Sequence, residues 1–165
     1  MIGKGKSISH GVAALEYDLA KEINGQAVAT EIARHELYGC TGAEMVQEMK
    51  PYHIDFPNVK NNCLRFEVSP SIEESATFTD ADWAELGNDF MQRMGLANHQ
   101  YIIIRHSGTE SKKEQAHLHI LANRVSLSGE LYRDNWIGKK ATEAANAIAK
   151  ERNFVQSQDI GKVNK

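Results

Sequence analysis

The stretch QYIIIRHSGTESKKEQAHLHILANRV, residues 100–125, decides the fold. Residues 100–105 (QYIIIR) carry a continuous apolar run, the pattern of a strand buried on both faces. Residues 116–125 (AHLHILANRV) alternate instead. Leu118, Ile120 and Ala122 fall on one side, while His117, His119, Leu121 and Asn123 fall on the other. The polar stretch 107–115 between them reads as the turn joining antiparallel neighbours. His106 closes the first strand, so this pairing would bring it beside His117 and His119. Two apart on one strand, His117 and His119 leave the same face with Cα atoms about 6.5–7 Å apart. Two imidazoles so placed can share one divalent cation, and three would still leave positions open for a substrate oxygen. The competing reading is that an H-x-H pair on a strand is common, and that seven histidines in one chain cluster by chance. His10, His35, His53 and His99 read as solvent or core histidines.

Outward from this hairpin, residues 63–69 (CLRFEVS) alternate as a third strand, with Leu64, Phe66 and Val68 on its apolar side. Its polar side carries Arg65 and Glu67. Glu67 therefore becomes a candidate metal or second-sphere carboxylate if the histidines share that face. Its alternative is a surface carboxylate paired with Arg65 or a neighbouring lysine. Glu110, in the histidine turn, is a weaker candidate of the same kind. Thr79 and Asp82 suit the start of a helix whose apolar stripe runs Trp83, Leu86, Phe90, Met94 to Gly95. Thr41 and Glu44 suit another, carrying Met45, Val46 and Met49 up to Pro51. Residues 10–22 read as a helix with Val12, Leu15 and Leu19 on one side, and 138–152 as a basic, alanine-rich helix. Residues 2–8 suggest a weak strand, 23–40 a loop, and a short strand follows Gly129. Three strands able to pair antiparallel, with helices, give an α+β layer fold with the helices on one sheet face.

Composition adds bounds. At 165 residues, 41% hydrophobic and 25% charged, the chain fits one soluble globular domain, 1–165. No segment has the length of an apolar membrane span, and the N-terminus lacks a secretory signal's apolar core. Cytoplasm is the expectation. Cys40 and Cys63 lack disulfide-framework or zinc-ligand spacing, so they read as reduced. The net charge of −3 disfavours nucleic acid at first sight. Yet residues 67–95 hold seven acids against Arg93 alone, whereas 131–165 hold seven bases against four acids. The sign is set by one acidic segment.

Tyr17 lies off the apolar side of its helix, ordinarily a surface position. Together with the histidines it acquires a context. The segment from His106 through His117-Leu-His119 to Asn123-Arg124-Val125 resembles the three-histidine motif of the HUH endonucleases, with ten residues between His106 and His117. GKSISHGVAALEYDLAKE, NNCLRFEVSPS and NDFMQRMGLANHQYIIIRH extend the resemblance to mobilization relaxases of the Bacteroides type, over roughly residues 3–155. The resemblance implies a mostly antiparallel sheet of about five strands, with the active site on its exposed face. It also implies that His106, His117 and His119 bind Mg²⁺ or Mn²⁺ and that Tyr17 attacks DNA to leave a 5′-phosphotyrosine. The implied substrate is single-stranded or hairpin DNA at a plasmid or mobile-element transfer origin. Accessory relaxosome proteins and a coupling protein would be the implied partners.

Many relatives carry an aspartate soon after the first histidine; here that stretch is Ser107-Gly108-Thr109-Glu110. Relaxases are also usually longer, so the chain is either a short form or the nicking domain of a longer protein. Candidate backbone contacts are Lys4, Lys6, Arg105, Lys112, Lys113, Arg124, Lys139 and Lys140. Tyr101 and Trp136 could stack bases, although Tyr101 reads as core. Three alternatives stay open. One is a replication initiator or transposase with the same site, against which the position of Tyr17 before the histidines argues. The others are a nuclease that activates water without a covalent adduct, and a DNA-binding module with structural histidines.

Overall fold

A computed structural model describes residues 1–108 and 115–157. Among these residues a five-stranded sheet runs in the order β1-β5-β7-β6-β4, antiparallel at every pairing. The strands are β1 (Ile2–Ile8), β4 (Ala29–His35), β5 (Cys63–Ser69), β6 (Tyr101–His106) and β7 (His117–Asn123). A short ribbon of β2 (Glu22–Ile23) and β3 (Gln26–Ala27) stands apart. The helices are α1 (Gly11–Leu19), α2 (Gly42–Met49), α3 (Ile72–Ser75), α4 (Asp80–Arg93) and α5 (Ile137–Glu151). The α+β class and the five antiparallel strands agree with expectation.

Alternation divides the sheet into two unlike faces. Leu64, Phe66 and Val68 of β5, Tyr101 and Ile103 of β6, and Leu118, Ile120 and Ala122 of β7 meet α4 and α5 in the larger core. Phe66 and Phe90 pack edge to face with centroids 5.5 Å apart, a geometry favoured by the ring quadrupoles. Helix α4 is started by a capping box: the Thr79 side chain accepts from the Asp82 amide, and Asp82 accepts from the Thr79 amide. In β1 the alternation is glycine against lysine. A Cβ at Gly3 would lie 2.4 Å from the Ala141 carbonyl oxygen, so the glycine lets α5 press onto the strand. Lys4 and Lys6 consequently face the other way.

Helices do not cover one face alone. A second cluster joins Ala14 and Leu15 of α1 and Met45 and Met49 of α2 to Cys63, Ile102, Ile104 and Leu121 on the opposite face. The reason lies in β6, whose apolar residues point both ways and so require cover on both faces. The carboxylate of Glu16 on α1 accepts from the Ala43 amide at the start of α2, using an orphan donor there.

Other local expectations are corrected. Residues 23–40 include the edge strand β4, where a register shift between Glu31 and Ala33 hides the period of two. After Gly129 there is one isolated bridge, Val125 to Leu131, in place of a strand. Val12 is exposed; the buried side of α1 is Gly11, Ala14, Leu15 and Asp18.

Candidate active site

Strand register assembles the site. His106 is opposite His117, Glu67 is opposite His119, and Lys4 is opposite Glu67. Lys4, Glu67 and His119 therefore form one row across three strands, on the face away from α4 and α5. The possible ligand nitrogens of His106, His117 and His119 all lie within 4.8 Å of one another. His117 Nε2 and His119 Nε2 are 3.0 Å apart. A Glu67 carboxylate oxygen lies 3.7 Å from the first and 3.5 Å from the second.

Each imidazole has one nitrogen directed at protein oxygen. His117 Nδ1 donates to the Gln115 carbonyl at 2.9 Å. His106 Nε2 donates to the Asp18 carbonyl at 2.7 Å, satisfying an acceptor that the end of α1 leaves without a helical donor. His119 Nδ1 faces the Asp18 carboxylate at 3.9 Å. Burial and neighbouring positive charge push the His119 imidazole down to about 2, and burial also lowers that of His106. Both are neutral near pH 7, the form in which imidazole ligates. With protons on the Nδ1 atoms of His117 and His119, two lone pairs oppose each other at 3.0 Å. Unfavourable alone, that pair becomes favourable around a shared cation, so the residues fit a divalent metal.

Tyr17, 58% exposed, stands on α1 beside this cluster. It lines a cavity of about 200 Å³ with Lys21, Val28, Glu67, His106, His117 and His119. Tyrosine, histidines and carboxylate therefore open onto one space. An adjoining cavity of about 230 Å³ is lined by Lys4, Lys6, Arg65, Glu67 and His119.

Sequence reasoning missed Asp18. It is 1% exposed, with a carboxylate oxygen 2.5 Å from Arg65 Nη2. It thus faces two histidines, one through its carbonyl and one through its side chain, and takes Arg65, one of the two partners that the alternative reading offered Glu67. A signal was present: Asp18 follows Ala14 and Leu15 by four and three residues, a charged group within the apolar stripe. Lys21, which lines the tyrosine cavity, was missed as well.

Several candidates lie elsewhere. Arg105 points to the opposite face, paired with Asp80 at 2.6 Å. Arg124 sits at the far end of β7, bound to the Tyr132 and Asn61 carbonyls and to Asp134. Lys139 and Lys140 ride on α5, behind the sheet, beside Glu143 and the Arg133 carbonyl. Trp136 immediately precedes α5 and is exposed there, and Tyr101 is core. Glu110, Lys112 and Lys113 fall outside the described residues. His35, His53 and His99 hydrogen-bond within the protein, and His10 is exposed; none joins the cluster.

A family model described as relaxase, MobA/VirD2-like, nuclease domain, matches residues 17–154. No curated protein matches the sequence. Among solved structures, the MobM relaxase domain (MOBV; Mob_Pre) bound to a 26-nucleotide pMV158 oriT DNA aligns with 99% of this chain and 92% of its own. The TM-score is 0.57 at 9% identity, a likeness of fold. The conjugative relaxase TrwC in complex with oriT DNA, a metal-bound structure, aligns with 92% of this chain and 70% of its own, at 12% identity and a TM-score of 0.44. No described helix is long and apolar enough to cross a membrane.

Proposed function

The chain belongs to the MobA/VirD2-like relaxase nuclease domains, and from that membership we propose that Tyr17 is the nucleophile with which it nicks one strand of a mobile element's transfer origin. The observation that carries this reading is the shared cavity. Tyr17, His106, His117, His119 and Glu67 all border it, and Tyr17 is exposed with no core to hold it there.

His106, His117 and His119 would hold the divalent metal, with Glu67 as a fourth ligand or as the group that orients their imidazoles. Bound there, the cation supplies charge neutralisation at a non-bridging oxygen of the scissile phosphate. An all-imidazole set favours Mn²⁺ over the harder Mg²⁺. Tyr17 Oη attacks phosphorus in line with the departing 3′-oxygen, leaving a 5′-phosphotyrosyl strand and a free 3′-hydroxyl. Exchanging one phosphodiester for another keeps the step reversible, which suits a protein that carries a strand and reseals it.

Lys4 and Lys6 border the cavity adjoining the histidines. Single-stranded or hairpin DNA would run over the β1 edge of the sheet, its phosphates against these ammonium groups. Arg105, Arg124, Lys139 and Lys140 take no part in that path. Relaxosome proteins and a coupling protein would act with the domain in the cytoplasm.

The test is incubation with labelled single-stranded DNA spanning the element's transfer origin and Mn²⁺, read on a denaturing gel. A metal-dependent cut with a protein-linked 5′ product, absent in Tyr17→Phe, supports the reading. A clean cut without an adduct would replace it with water activation.

A further inference from the structure

Beside Tyr17, the cavity is lined by a charged residue, Lys21. Its Nζ donates to Tyr17 Oη at 3.1 Å and lies 5.3 Å from the centre of the tyrosine ring. The two positions are four apart in the chain: Tyr17 is in the last turn of α1, and Lys21 lies two residues beyond its end, turned back onto the tyrosine. A lysine beside a tyrosine at that spacing is an ordinary surface pair in most helices. Here the pair borders the space that also holds Glu67 and the three histidines.

We propose that Lys21 is a catalytic residue of the nicking reaction: its ammonium hydrogen-bonds the attacking oxygen of Tyr17 and stabilises the negative charge that oxygen carries as it loses its proton. This rests on the reading of Tyr17 as nucleophile. The step balances without further reagents. The Oη–phosphorus bond forms as the phosphorus–O3′ bond breaks; the phenol gives up one proton and the 3′-oxygen gains one. Lys21 keeps its own proton throughout. In the resealing direction Tyr17 Oη is the leaving group, and the same ammonium stabilises it as it departs.

The arrangement is suited to this because the cation is placed before reaction. A donor already 3.1 Å from the oxygen needs no reorganisation as charge develops. The metal site serves the phosphate, and Lys21 serves the nucleophile. Two positive centres then flank the reacting atoms from different parts of the chain, the histidines from β6 and β7 and the lysine from the segment that follows α1.

The experiment is single-turnover adduct formation with saturating transfer-origin oligonucleotide and Mn²⁺, comparing wild type, Lys21→Met and Lys21→Arg. Lys21→Met should slow the step about 10- to 100-fold with little change in oligonucleotide affinity. Lys21→Arg, which keeps a charged donor, should recover part of the rate. Mn²⁺ binding measured by calorimetry should survive in Lys21→Met, separating a lost catalytic group from a collapsed site. An oligonucleotide with sulfur in place of the bridging 3′-oxygen gives a leaving group that needs no proton. The Lys21→Met deficit should persist on it. A wild-type rate in Lys21→Met, or a deficit that disappears on the sulfur substrate, overturns the role at Tyr17. Absence of any adduct with wild type overturns the nucleophile reading itself and this proposal with it.

Discussion

The two faces of the sheet are built from alternate residues of the same strands, yet they obey different rules. Behind the sheet, Leu64, Phe66, Leu118 and Ile120 are sealed under α4 and α5 in an apolar core. In front, their neighbours Arg65, Glu67, His117 and His119 are polar groups, some deeply buried, arranged around a cavity. A buried imidazole and a buried carboxylate destabilise unless paired or ligated. The rear face is what holds them in place: its packing fixes strand register, and register sets which polar groups meet. The acids that gave the chain its sign divide along the same line. Asp80, Asp82, Glu85 and Asp89 all lie on α4, behind the sheet, away from the side assigned to DNA.

Substitutions should therefore separate the faces cleanly. The largest effect on reaction is expected at Tyr17→Phe, which should abolish the covalent adduct, a loss of about 10³-fold or more. Because the residue is exposed, its melting temperature should stay near wild type. Phe90→Ala is the mirror experiment: about 3–5 kcal/mol of stability lost, seen in urea unfolding, with Mn²⁺ affinity retained by the folded fraction. Equal losses of stability from both changes would mean that the faces are not independent.

His119→Ala comes next. It should reduce Mn²⁺ affinity about 100-fold or more in calorimetry, because one of three converging nitrogens is gone and Glu67 loses its nearest partner. Asp18→Asn lies between the two regimes. It leaves Arg65 without its buried partner, at a cost of about 3–5 kcal/mol. It also removes the carboxylate facing His119 Nδ1, lowering metal affinity by about 10-fold. A stability loss without any change in metal binding would confine Asp18 to holding α1 on the sheet.

Acid should expose the cost of the front face without a mutation. His119 is pushed down to about 2 in the folded protein, mainly by burial, whereas an unfolded histidine titrates near 6.5. The unfolded chain thus binds the proton first. The stability is fully present above pH 6.5 and is lost as pH falls from there toward 2. His106 and His99, also lowered by burial, act in the same direction. Urea unfolding of the metal-free protein at pH 7.5, 6 and 5 should show this decline, and His119→Gln should make it shallower.

Strands β5 and β7 were legible from their alternation and β6 from its continuous apolar run, and the pairing of β6 with β7 followed from the short polar stretch between them. That pairing alone brings His106, His117 and His119 together. β4 was hidden because its bulge interrupts the period, and β1 was weak because glycines make its apolar side. The second helical layer was missed because Val12 and Leu19 were set beside Leu15 as the apolar stripe, where the buried side is Gly11, Ala14, Leu15 and Asp18. Asp18 was passed over with it, although its spacing from Ala14 and Leu15 puts it on the buried side. The basic residues were hardest. Charge in sequence carries no face, and only strand parity and helix placement separate Lys4 and Lys6 from Lys139 and Lys140.

That separation gives the smallest effect and the most direct check on the two-face picture. Lys4 and Lys6 alternate with Gly3 and Gly5, so the close approach of α5 to the glycines turns both ammonium groups to the histidine side. Each phosphate contact contributes about 0.7 to the slope of log K against log salt for single strands. Lys4→Ala and Lys6→Ala should each weaken binding of an oligonucleotide a few-fold and flatten that slope by roughly one contact. Lys139→Ala and Lys140→Ala carry the same charge change on α5 and should leave the slope unaltered. Fluorescence anisotropy between 50 and 200 mM salt, conditions under which such contacts are resolved, would compare all four. If the α5 lysines flatten the slope as much as the β1 lysines, the DNA wraps behind the sheet and the front face does not bind it alone.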